Sequence, residues 1–206
     1  MNPKIHLLFI VTVLTFFSCS PQSGDLPYLG QTVVENGIEI HHKVGEYAHL
    51  NQDSVLIDNK KMSEYIYIAD FFFTSCPSIC PKVMKEMTKI YDAVKDKPNV
   101  KLVSFTLDPK RDDVAKLKLY ADNLGIDHNK WYFLTGDKDA TLELANTFFV
   151  AAFEDADAPG GFDHSGKILL IDKEGHVRSF SEGTDPENTP KIIADVDKLL
   201  ESYKSK

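Results

Sequence analysis

Residues 66–82 read IYIADFFFTSCPSICPK. Ile66, Ile68, Phe71, Phe72 and Phe73 form an apolar, aromatic run that reads as a buried strand. It stops at Thr74-Ser75, and two cysteines follow four residues apart, Cys76 and Cys80. Beyond them Val83, Met87, Ile90 and Val94 recur at helical spacing. The reading is strand, tight turn, helix, with both sulfurs expected at the helix start, where i and i+4 share a face. Unpaired amides and the helix dipole favour negative charge there, and a cysteine's thiolate is its reactive and metal-binding form. Pro77 and Pro81 are expected in the first turn, where no donor is lost. Met84 and Met87 read as packing residues of the helix.

Length and composition narrow what surrounds this motif. The chain has 206 residues, 43% of them hydrophobic, enough for one well-filled domain. A net charge of −8 argues against a nucleic-acid partner. Only three cysteines occur, so Cys76 and Cys80 are an isolated pair and not a disulfide framework. A bridge between them closes too short a loop to restrain much unfolded-chain entropy. Redox or metal chemistry is the better reading.

The third cysteine has its own explanation. Lys4 followed by the apolar run 5–17 reads as a secretion signal over residues 1–18, too short to span a bilayer comfortably. The run ends FFSCS, which resembles a bacterial lipoprotein signal, with Cys19 lipidated as the new N-terminus. Residues 19–30 are expected to be a flexible tether to the membrane, and residues 31–206 a single domain in the cell envelope, facing the periplasm. Asn36-Gly37, between two β-type runs, signals a hairpin. His41 and His42 lie in its second arm and point to opposite faces, so they do not share a metal; they and His49 read as incidental.

Downstream, strands are expected over 100–107, 131–135, 167–171 and 176–180. Helices are expected from a cap at Asp108 with Pro109 opening the helix that Gly125 ends, from Asp137 to about Phe149, and from Thr189-Pro190 to the C-terminus. Residues 150–153 read as a short extra strand and 154–162 as a flexible loop. This β-α alternation, closed by an antiparallel pair and a helix, predicts an α/β thioredoxin-like fold: a mainly parallel sheet flanked by helices, with an N-terminal β-hairpin extension.

In such a sheet the site lies at the carboxyl ends of the strands. Cys76 and Cys80 follow one strand there, and His164, just before the strand at 167–171, belongs to the same edge. Two thiolates and an imidazole suit Cu(I), Cu(II) or zinc, and three protein ligands leave a position open. Asp163 is expected to orient the imidazole.

FFFTSCPSICPKV, then SFTLDPKRDD, then DHSGKILLIDKEG, in that order over residues 48–200, resemble the Sco/SenC family of copper proteins. The resemblance implies a thioredoxin-like fold and copper held by Cys76, Cys80 and His164. It also implies a role in assembling the binuclear copper centre of cytochrome c oxidase, with the copper-bearing oxidase subunit or another copper carrier as partner. Asp108 and Pro109 match the family's DP element, with Asp108 expected near the cysteine turn. The reading is of a carrier and not an enzyme. The alternative is a membrane-tethered thiol-disulfide oxidoreductase using the same two cysteines. Against it stand the C-x-x-x-C spacing and a histidine where reductases of this fold carry a substrate-binding proline.

Overall fold

The computed structural model describes residues 25–204. The expected signal 1–18, Cys19 and the first part of the tether lie outside them. The chain runs β1 (Thr32–Glu35), β2 (Ile38–His41), β3 (Ala48–Asn51), β4 (Leu56–Asp58), α1 (Asn59–Met62) and β5 (Ile66–Phe72). Next come α2 (Cys80–Val94), β6 (Val100–Thr106), α3 (Val114–Leu124), β7 (Trp131–Thr135) and α4 (Lys138–Thr147). It ends with β8 (Ala152–Glu154), β9 (Phe162–His164), β10 (Lys167–Ile171), β11 (Val177–Glu182) and α5 (Thr189–Lys204).

A seven-stranded sheet in the order β11-β10-β5-β6-β7-β3-β4 carries the fold. Only β5, β6 and β7 run parallel; β10, β11, β3 and β4 flank them antiparallel. The sheet is therefore mixed with a parallel centre, where a mainly parallel one was expected. β3 and β4 account for the difference. Their sequence, AHLNQDSVLID, is too polar to announce strands, yet Asn51, Gln52 and His49 are buried and bonded. Gln52 donates to Trp131 O at 2.8 Å and accepts from Phe133 N at 2.8 Å, so its amide completes the sheet where a backbone would.

Every residue of β5 is buried. Adjacent strand residues face opposite ways, so the two phenylalanines that end it feed both sides of the sheet. Phe71 stacks on its register partner Phe105 (ring centroids 5.0 Å apart), and Phe72 meets Phe133 (5.4 Å) on the other side. The sheet is flanked by helices as expected: α2 and α5 pack against each other and against β10, and α3 lies on β3 and β7.

Three local expectations are corrected. The helix after β6 starts at Val114, capped by Asp113 accepting from Lys116 N at 2.8 Å, not by Asp108. Residues 108–112 form a turn instead, with the amides of Arg111 and Asp112 donating to Asp108 O. The stretch 154–162 is a hairpin between β8 and β9, not a loose loop. And residues 25–30 are docked, where a free tether was expected. Leu29 N donates to Val177 O, Arg178 donates to the carbonyls of Leu26 and Pro27, and the Arg178 guanidinium lies over the Tyr28 ring.

The expected hairpin is present, with Asn36 (φ 52°) and Gly37 (φ 79°) at its turn, and β1-β2 forms a separate two-stranded sheet. His41 and His42 are half-buried at its root, His42 Nε2 meeting Thr147 O at 2.7 Å. His49 is buried, not incidental, with Nε2 2.8 Å from Thr141 Oγ1.

Candidate metal centre

The chain leaves β5 into a turn over residues 73–79 and enters α2 at Cys80. Cys80 is therefore the first helical residue, while Cys76 lies ahead of the helix, in the turn. This differs from the expected pair on one helix face. Cys76 N donates to Phe73 O at 3.2 Å, which closes the turn. Pro81 occupies the first helical turn, where its missing N–H leaves no carbonyl unpaired.

What fixes the turn is a residue that the sequence did not single out. Asp112 is fully buried. Its carboxylate accepts from Thr74 N at 2.9 Å, from Thr74 Oγ1, and from Thr106 Oγ1 at 2.6 Å. One carboxylate thus ties the start of the cysteine turn to the end of β6. Asp108, expected near the cysteines, is buried beside this bolt but pairs with Arg111. Arg111 in turn donates through Nη2 to Gly160 O at 2.6 Å, holding the β8-β9 hairpin down. Gly160 takes φ +91°, and a Cβ there would lie 2.5 Å from the Phe73 ring. The hairpin tip therefore packs directly on the residue that begins the cysteine turn.

β9 delivers the third group. Alternation turns Phe162 and His164 inward and Asp163 out to solvent. The His164 ring meets the Phe73 ring edge-on, with centroids 5.8 Å apart. Its Nδ1 lies 3.3 Å from Ser165 O and its Nε2 3.3 Å from Cys80 Sγ. A proton on Nδ1 satisfies the carbonyl and leaves the Nε2 lone pair facing the sulfurs. The orienting contact is thus the Ser165 carbonyl. Asp163 makes no hydrogen bond to the ring and acts on it only through its charge.

Among the described residues, Cys76, Cys80 and His164 are the one group of three whose candidate ligand atoms all lie within 4.8 Å of one another. They are 8%, 5% and 6% exposed. The two thiols differ. Burial alone would raise Cys76, but hydrogen bonds from the Cys80 thiol and from the Cys80 and Ser78 amides outweigh it and hold Cys76 below the ordinary thiol range. Burial, the Cys76 sulfur and the charge of Asp70 push Cys80 well up. Burial also lowers His164, favouring the neutral imidazole that can ligate. The site presents one thiol eased toward its thiolate, one imidazole held toward its neutral form and one thiol held toward protonation, and metal capture must release the proton on Cys80. Neither cysteine is in a disulfide. Clefts open on both sides: a 360 Å³ cavity lined by Cys76, Cys80, Met84, Tyr120 and Leu124, and a 240 Å³ one lined by Phe153, His164 and Ser165. Met84 and Met87 are buried against the core, as read from their spacing.

Known proteins share this arrangement of elements. The SCO1/SenC family profile matches residues 36–201. A SCO1/SenC family lipoprotein from Bacillus anthracis is 26% identical with a TM-score of 0.71, covering 77% of this chain and 95% of its own. BsSco, described as a member of the Sco family of cytochrome c oxidase assembly proteins with a disulfide switch, is 28% identical with a TM-score of 0.66, covering 77% and 93%. Yeast Sco1, solved with copper bound, shares the fold at 24% identity and a TM-score of 0.61, covering 76% and 89%. The family match spans the hairpin turn, the cysteine turn, the histidine strand and most of the last helix, so this chain belongs to the SCO1/SenC family.

Proposed function

We propose that this protein carries copper to the binuclear copper centre of cytochrome c oxidase, holding it through Cys76, Cys80 and His164. The observation that carries the reading is the convergence of two sulfurs and one imidazole nitrogen within 4.8 Å across 84 residues of chain. Thiolates and imidazole are the donors that favour Cu(I) and Cu(II) over harder ions, and the arrangement leaves a coordination position open for exchange. The copper is cargo. The chain's own work is to hold two sulfurs and Nε2 at fixed spacing and to keep all three residues largely buried from water. The partner is the copper-bearing oxidase subunit or another copper carrier. Cys19 is lipidated after removal of residues 1–18 and anchors the domain in the cell envelope; the B. anthracis relative is itself a lipoprotein. No helix among the described residues is long and apolar enough to cross a membrane.

The delivery role is tested by mixing the copper-loaded chain with the copper-free metal domain of the oxidase subunit. Copper should move to the acceptor. Retention of all the copper on this chain would contradict delivery.

A second reading rests on the inequality of the thiols. Cys76 is held toward thiolate beside a protonated Cys80, which is the arrangement for attack by one sulfur and resolution by the other. A thiol-disulfide role predicts insulin reduction by the metal-free chain, and absence of turnover would remove it as a general reductase.

A further inference from the structure

The β1-β2 hairpin is the one part of the described fold that lacks a core. Seven of its eight strand residues are exposed, His41 at the root being half-buried, and it pairs with no other strand. Val33 is 51% exposed, Val34 65%, Ile38 67% and Ile40 47%. A two-stranded hairpin is at best marginally stable in water, and clustered exposed apolar side chains mark a covered surface.

Its two faces differ. The register pairs Val33 with Ile40 and Glu35 with Ile38, so Val33, Ile38 and Ile40 share one face, with Glu35 beside the turn. The opposite face carries Thr32, Val34, Glu39 and His41. The chain covers the root of that second face itself: Tyr28 stacks on His41, with ring centroids 4.0 Å apart and planes within 5°. The Val33-Ile38-Ile40 face receives no such cover.

The chain before the hairpin limits what can lie against it. Residues 25–30 are docked at the hairpin's root, and Cys19 stands six residues before Asp25. A fully extended chain gains at most about 3.3–3.6 Å per residue, so the lipid on Cys19 holds the docked segment within about 20 Å of the bilayer. That tether guarantees one apolar phase within reach of the hairpin, the lipid surface.

We propose that the hairpin is a second membrane contact, lying flat on the bilayer with Val33, Ile38 and Ile40 in the interfacial region and Val34, Glu39 and His41 turned away. It rests on the lipoprotein reading of Cys19. With two contacts the domain no longer swings on its tether, and its orientation to the membrane is fixed.

The test uses the full chain, processed and lipidated, in vesicles of phosphatidylethanolamine with a minority of phosphatidylglycerol carrying brominated acyl chains. Trp131 is fully buried and serves as the unquenched internal reference. Ile38→Trp and Val33→Trp, on the apolar face, should lose severalfold more fluorescence to brominated lipid than the parent. Val34→Trp, on the other face, should not. Equal quenching of both faces, or none on either with the lipid mass confirmed at Cys19, overturns the proposal. A mature chain without lipid at Cys19 overturns the lipoprotein reading instead, and this inference with it. Self-association of the soluble Cys19→Ser chain through the hairpin, abolished by Ile38→Glu, would show a second copy as the cover and also overturn it.

Discussion

Asp112 holds Thr74 twice, through the threonine's backbone amide and its hydroxyl, and so pins the cysteine turn to β6. The carboxylate is fully buried and bonded to three donors, so its loss strands them. Asp112→Ala should cost about 3 kcal/mol of stability, the usual result of leaving buried donors unpaired. It should also weaken copper binding at least tenfold, although Asp112 is no ligand. Denaturant unfolding and a competition titration measure the two effects. Unchanged copper affinity in a folded Asp112→Ala protein would show that the turn is fixed by something else.

The β8-β9 hairpin is a second support of the site. Gly160 has φ +91° and stands against Phe73, so any side chain there meets both backbone strain and a ring. Gly160→Ala should lift the hairpin tip, speed hydrogen exchange over residues 155–161, and lower copper affinity severalfold through displacement of His164. Arg111→Met should do the same more mildly, by freeing the Gly160 carbonyl. If exchange rises and copper affinity stays constant, the hairpin does not govern His164.

Asp70 lies fully buried in the middle of β5. One oxygen accepts from Ser104 Oγ at 2.5 Å and the other has no partner. Burial raises its pKa to about 7. A folded-state value above the unfolded one contributes stability that is full below about pH 4 and is lost as pH rises through about 7. Asp70→Asn should therefore raise stability by on the order of 2–3 kcal/mol more above pH 8 than near pH 5. Unfolding curves at the two pH values decide the matter, and a gain equal at both would reject this titration.

His49 acts in the opposite direction. It is buried, its Nδ1 has no partner, and burial lowers its pKa against the opposing charge of Asp137. The unfolded chain takes up a proton near pH 6.5 that the folded chain refuses, so stability is full above that value and falls below it, by up to about 1.4 kcal/mol per pH unit for each such group. His49→Gln, which can keep the bond to Thr141, should flatten that acid slope. An unchanged slope between about pH 6.5 and 5 would assign it to other groups.

The sequence announces the parts of this molecule whose local signal is strong. The run at 66–72, the helical spacing after Cys80, and Gly125 (φ 66°) closing α3 lie where periodicity and turn chemistry put them. What it conceals depends on distant partners. β3 and β4 are strands because Gln52 and Asn51 find bonds inside the fold, not because they are apolar. Residues 25–30 look like a linker until Arg178, some 150 positions away, collects their carbonyls. In the run DPKRDD three carboxylates look alike, and only the fold separates Asp108 on Arg111, Asp112 on the cysteine turn and Asp113 on a helix end. The distance from Cys80 to His164 was legible only through the topology, which returns β9 to the end of β5.

The most direct test is a copper titration of the reduced chain, followed by absorption, with His164→Ala beside the parent. One copper per chain is expected, with a sulfur-to-Cu(II) charge-transfer band, and His164→Ala should lose that band and bind orders of magnitude more weakly. Copper bound equally well by His164→Ala, or no stable binding by the reduced parent, would contradict the Cys76-Cys80-His164 site.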